Sequence, residues 1–215
     1  MNEYIVKRLP KGEGLPELDG ELSGAWAQCP VAEIGNYIWD QNGYKPRAEA
    51  RVMYDERGLH VHMRAWENEV RAVADYCGMI CQDSCLEFFV RPNMDVDRYT
   101  NIEMNPLGRF MCGIGRDRYG RFEAKKLPLE GMEVRHSVTD AAAFAGPVWE
   151  IAYTVPAEWL ELWFGAHLEP GAKMRGNFYK CGDKTRFEHY GMWNPVRSDH
   201  PDFHRPESFG LLVLE

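Results

Sequence analysis

The sequence predicts an all-β chain folded as an antiparallel β-sandwich, immunoglobulin-like or jelly-roll-like, with one short helix. Three observations predict it. Short segments of alternating apolar and polar residues recur from about Arg47 to the C-terminus; Gly, Pro, Asn and Asp separate them; and amphipathic helical periods are nearly absent.

Arg47–Tyr54 alternates Ala48, Ala50, Val52 and Tyr54 with Arg47, Glu49, Arg51 and Met53, and Asp55-Glu56-Arg57-Gly58 then supplies a turn. A second arm follows, with Leu59, Val61, Met63 and Ala65 opposing His60, His62, Arg64 and Trp66, so a hairpin is predicted. Downstream, Leu86, Phe88 and Val90 oppose Asp83, Cys85, Glu87 and Phe89, while Ile102 and Met104 oppose Asn101, Glu103 and Asn105. Trp149, Ile151, Tyr153 and Val155 make another apolar set. Pro156–Phe164 is the one predicted helix, entered at proline and closed by Gly165. Gly210–Leu214 ends the chain as a strand. With no repeat, low-complexity tract or linker, residues 1–215 read as a single domain, long enough to bury a full core.

Composition narrows the function classes. Thirty-three acidic residues against 25 basic ones give a net charge of −8, with no basic run to follow a phosphate backbone, so nucleic acid is not an expected partner. No apolar stretch reaches the roughly 20 residues that span a bilayer, so no membrane association is expected. The start, MNEYIVKRLPKGEG, lacks the apolar centre of a signal peptide. The chain is expected to be cytoplasmic, although a secreted chain shorn of its leader would read the same. The six cysteines are expected to be reduced thiols; Cys77, Cys81 and Cys85, spaced four apart, match neither paired zinc knuckles nor common iron–sulfur spacings.

If the strands beginning at Arg47, Leu59, Asp83 and Asn101 are neighbours, their outward residues form one face rich in Arg, His, Glu and Asn, with Trp66 and Phe89 on the same side. That face is either a binding platform or the solvated side that antiparallel sheets normally expose. Trp39, Trp193 and Phe203 fall in loop-like segments. A sugar presents apolar C–H faces and a rim of hydroxyls, which call for flat rings beside carboxylates, amides and guanidiniums.

The order of several motifs resembles carbohydrate-binding module family 9 and its family-9-like relatives. The carrying pieces are Leu18-Asp19-Gly20-Glu21-Leu22 with Trp26, Val52-Met53-Tyr54-Asp55 with Gly58-Leu59-His60-Val61, and Gln82–Phe89. Asn101–Gly108, Trp149-Glu150-Ile151 with Val155-Pro156, and Asn177-Phe178-Tyr179-Lys180 follow, then Trp193-Asn194-Pro195, Phe203-His204-Arg205-Pro206 and Phe209-Gly210. The resemblance covers about Leu18 to Leu214 and implies a β-sandwich that binds small saccharides or chain ends without transforming them, in carbohydrate utilisation and in association with a glycoside hydrolase. It matches Glu87 to a sugar-contacting acid. It implies polar contacts from Glu103, Asn177, Tyr179 and Lys180, and a ring or wall from Trp193, Phe203 or His204. One departure stands out: Cys81 occupies the position six residues before the acid where the family has its first aromatic wall. Another ring such as Trp39 or Tyr44 compensates, or the ligand differs, or the sandwich survives as an interaction module without sugar affinity. No cofactor is expected from the motifs; calcium enters only through the resemblance, and no run here is an EF-hand loop.

An enzyme acting on glycosidic bonds is the alternative. Asp83 and Glu87, four apart in a strand, would stand roughly 13 Å apart at their α-carbons, too far for glycosidase carboxylates; Glu87 and Glu103 paired across strands make a better acid pair. No nucleophile elbow, HExxH helix or Walker loop is present, and Gly113-Ile114-Gly115 reads as strand and turn. His60 and His62 share a face and are expected to lie on an exposed polar strand rather than to bind metal. His189, His200 and His204 lie near the C-terminal aromatics, where hydrogen bonding is as expected as catalysis. Asp83 is expected either to fix backbone or to touch ligand.

Overall fold

The computed structural model describes residues 1–122 and 131–215. The hairpin forms as predicted: β3 (Ala48–Asp55) and β4 (Gly58–Trp66) pair antiparallel, closing at Asp55 opposite Gly58, and β9 (Val148–Pro156) adds to the far side of β4. The predicted strands around Glu87 and Glu103 are β5 (Cys85–Arg91) and β6 (Tyr99–Met104), extended by β7 (Phe110–Gly115). The predicted helix is α2 (Ala157–Phe164), capped by Gly165 in the left-handed conformation. A second helix, α1 (Gly24–Gln28), was not expected.

Two findings correct the antiparallel sandwich. β1 (Glu3–Arg8) runs parallel both to β12 (Gly210–Leu214), through Glu3–Val6, and to β3, through Lys7 and Arg8. The sheet is therefore mixed and continuous. Its order is β7-β6-β5-β10-β12-β1-β3-β4-β9-β8, with β8 at Val134–His136 and β10 at Lys173–Cys181; β2 (Ala32–Glu33) adds to β3 and β11 (Tyr190–Met192) to β10. Because β1 hands over from one half to the other, the sheet curls until the halves face each other across one core. Leu86, Phe88, Ile102 and Phe178 meet Val52, Val61, Trp149 and Tyr153 there. The sheet's two ends also approach. Gly108, in the β6–β7 turn with φ +70°, has no room for a Cβ, which would stand 2.7 Å from His136 of β8.

The curl also corrects the expected platform. β3 and β4 belong to one half and β5 and β6 to the other, so their outward residues do not share a face. The first outward face is covered by the chain before β2. Trp26 packs edge-on to His62 at 6.1 Å, Leu9, Leu15 and Cys29 cluster with Met53 and Ala152, and the Gly20 amide donates to Glu150 at 2.8 Å. His60 and His62 are accordingly buried rather than exposed, hydrogen-bonded to Asp55 and Glu150 at 2.8 and 2.7 Å. Trp66 is held between Arg47 and Arg64.

Candidate functional site

The outward face of the other half carries Cys85, Glu87 and Phe89 from β5, Asn101 and Glu103 from β6, and Tyr179 and Cys181 from β10. Glu87 stands directly opposite Glu103 on one side and Tyr179 on the other. The chain returning after β11 packs Val196, Phe203 and Phe209 onto part of this face. What it leaves uncovered is a cavity of about 150 Å³ over the two glutamates, adjoining a wider one of about 490 Å³ that shares Cys81, Glu103, Arg118 and His204.

Glu87 and Glu103 form the floor. Burial and the neighbouring Glu103 push the Glu87 carboxyl well above its usual range, and thiols point at it, Cys181 at 2.9 Å. Burial also raises Glu103, whose charged form is aided by the Asn101 amide, which donates at 2.8 Å and in turn accepts from Arg121. Two carboxyls held side by side out of water cannot both ionise freely, so the floor keeps a proton.

The walls have other chemistry. Phe203 stacks on the buried Tyr179 ring, with centroids 4.0 Å apart, and touches Trp39 and Tyr190 at its edges. His204 bonds the Tyr99 hydroxyl at 2.7 Å; burial, with Arg121 and Arg118 nearby, lowers its pKa to about 3, so the ring is neutral. Asp202 stays charged against Arg118 at 2.8 Å and Arg205 at 2.9 Å. On the opposite rim, burial raises Asp183, which accepts from the Cys81 thiol. Carboxyls, guanidinium, imidazole and rings therefore converge on one small space.

Of the expected residues, Glu87, Glu103, Phe203 and His204 line this cavity, and Tyr179 supports Phe203 from below. Lys180, Asn177 and Trp193 are elsewhere. Along β10, Tyr179 and Cys181 face outward, so Lys180 points into the molecule, where its ammonium meets Glu67 at 3.2 Å and His189 at 2.7 Å under the Trp149 ring. Asn177 is spent on backbone: its amide donates to the Asn194 carbonyl at 2.8 Å, and its oxygen accepts from the Asn194 amide at 2.9 Å. Trp193 is buried in the main core, edge-on to Tyr4 and Phe178, and so is not exposed beside Glu87. Asp83 fixes backbone, accepting from the Val73 and Ala74 amides at 3.0 and 2.9 Å. Asp183, Arg118 and Asp202 were missed. Asp183 lies two residues past Cys181, just beyond the end of β10, and was readable from that spacing; Arg118 and Asp202 come from loops that nothing in the sequence ties to Glu87.

Among the described residues, the metal-capable cluster is Cys85, Glu87 and Cys181. Its two sulfurs do not suit calcium, which takes six to eight oxygen ligands. No described helix is long and apolar enough to cross a membrane.

Several known proteins resemble this one. A Bacteroides uniformis protein to which carbohydrate binding is attributed is 29% identical, with a TM-score of 0.80 over 99% of both chains. Two structures of a carbohydrate-binding module of family 9 from Caldicellulosiruptor kristjanssonii, one with cellotriose and one with glucose, share the fold. Their TM-scores are 0.67 and 0.68 and their identities 13% and 12%, over all of this chain and 94% and 96% of theirs. A search of curated proteins finds no match. The sequence model of Carbohydrate-binding family 9 matches residues 22–214, nearly the whole length, and the chain belongs to that family.

Proposed function

We propose that this chain binds a carbohydrate, a small saccharide or a chain end, in the cleft over Glu87 and Glu103. The observation that carries the reading is the convergence of two carboxyls, a guanidinium and an aromatic ring on one cavity in a chain of this family. The carboxyl floor takes up hydroxyl hydrogen bonds in either protonation state, Arg118 donates to ring or hydroxyl oxygens, and Phe203 and Tyr190 offer C–H contact. The relatives bound to glucose and cellotriose support the ligand class.

Binding without turnover fits the placement of the acids. Glu87 and Glu103 occupy directly opposed positions of adjacent strands, so both rise from one floor. Glycosidases set their carboxyls on either side of the scissile bond. A role in carbohydrate utilisation beside a glycoside hydrolase belongs to the same reading. The second reading, hydrolysis of a glycosidic bond, draws on the proton held by the acid pair.

Calorimetric titration with glucose and cello-oligosaccharides tests the first reading. The expected result is saturable binding that weakens roughly tenfold or more in Glu103→Gln and Arg118→Ala, the size of a lost charged hydrogen bond. Wild-type protein that binds no member of a wider mono- and oligosaccharide panel would sink it. Release of aryl aglycone by wild type but not by Glu103→Gln would establish the second reading instead.

A further inference from the structure

The sugar reading uses one member of a buried triad at the floor of the cleft and leaves two unexplained. Cys85 and Cys181 are direct partners across the β5–β10 ladder, and Glu87 follows Cys85 by two residues on the same face. The two thiols and the Glu87 carboxyl all lie within 4.8 Å of one another. Oε1 of Glu87 is 2.9 Å from the Cys181 sulfur and 3.8 Å from that of Cys85.

These spacings lie close to those of a coordination shell. Tetrahedral zinc, with sulfur at about 2.3 Å and oxygen at about 2.0–2.2 Å, holds such ligand atoms roughly 3.5–3.8 Å apart. The adjustment needed is a few tenths of an ångström to about 1 Å at the ligand atoms, on the scale of side-chain rotation. Three ligands leave a fourth position, and on the open side of the triad the cavity is bordered by Cys81 and Asp183.

We propose that Cys85, Cys181 and Glu87 form a three-ligand site for a thiophilic metal ion of the zinc class, with the fourth position facing the cleft beside Cys81 and Asp183. The donor set selects the metal, since two thiolates favour zinc, cobalt or copper(I) over calcium or magnesium. Without a cation the triad is a hydrogen-bonded cluster in which both thiols donate to Glu87. Binding exchanges those protons for the metal, one from each protonated ligand, so affinity falls on acidification. The ligands come from adjacent strands rather than one knuckle, which is why their spacing in sequence carries no zinc signature.

Cobalt(II) tests the site in the full-length chain, reduced and stripped by chelator, without sugar. The expected result is one equivalent bound, with sulfur-to-cobalt charge-transfer absorption and the intense visible bands of a tetrahedral ion. Cys85→Ser and Cys181→Ser are each expected to weaken binding by more than about a hundredfold, beyond the 10–100-fold typical of outer-shell partners. Cys29→Ala, in a separate cluster, is expected to leave it unchanged. Zinc alone is expected to raise the unfolding midpoint of wild type, a readout that needs no variant. A folded wild type with no thiolate band and no zinc-induced shift overturns the proposal, as does an equal band in the Cys85→Ser/Cys181→Ser double variant. Sugar titration of the stripped protein is read separately, so either site can fail without the other.

Discussion

Two outward sheet faces of this molecule share an alternating polar pattern and have opposite electrostatics. On the β3–β4–β9 face every buried acid has a counterpart: Glu49 meets Arg51 at 2.6 Å and also Arg64, Asp55 meets Arg57 and His60, and Glu150 meets His62. Burial opposes the charge on Glu49, but the two guanidiniums outweigh it and hold the carboxyl below its usual range. On the β5–β6–β10 face, no ion pair among the described residues reaches Glu87 or Glu103, and both are pushed upward. The first face is closed by the N-terminal segment, and the second opens into a cavity. Alternation finds polar faces; pairing of their charges separates one whose acids are neutralised in place from one whose acids are not.

The largest effect is expected where that pairing is cut. Glu49→Ala leaves Arg51 buried beside no carboxylate of its own, and should lower stability by about 3–5 kcal/mol in urea unfolding. A loss under about 1 kcal/mol, the range of exposed pairs, would show the face to be solvated and erase the contrast.

The open face should respond with the opposite sign. An acid raised in the folded state loses its proton first in the unfolded chain, near pH 4.3. Stability therefore falls as pH rises from there through the folded value, and the penalty is complete above it. In chelator-treated protein, Glu103→Gln should be more stable than wild type by about 1–2 kcal/mol at pH 8 and equal near pH 4, while sugar affinity drops. Destabilisation at pH 8 would mean that Glu103 is held by a partner and is not poised for a ligand.

How much of this was legible follows from the range of the signals. The β3–β4 hairpin and the cap at Gly165 are local, written in adjacent residues, and were read correctly. β1 was not, because a strand pairing in parallel with residues near 53 and 211 has no turn to announce it. The cross-strand meeting of Glu87 and Glu103 was readable from parity. Lys180 points away from the cleft, which the sequence did not show: Phe178 and Tyr179 are both aromatic, so β10 has no clear inner face until Phe88 stacks on Phe178 at 4.9 Å. Trp193 follows the short β11, whose three residues fix no parity, and only the curled sheet draws it inward.

The smallest expected effect concerns the missing ring. Cys81 is half-buried where the two cavities meet, across from the wall that carries Phe203 and His204. The wider cavity leaves space for an indole there, and a sugar lying over the glutamates would then be covered on both faces. Cys81→Trp should tighten saccharide binding about two- to tenfold, the range of one added aromatic contact, with the folded state intact by circular dichroism. The paired face has no bearing on this result, so a weaker or unchanged affinity would mean that the ligand's second face is turned toward solvent or toward Arg118. The cleft would then be one-walled by construction, with the acid floor supplying its selectivity.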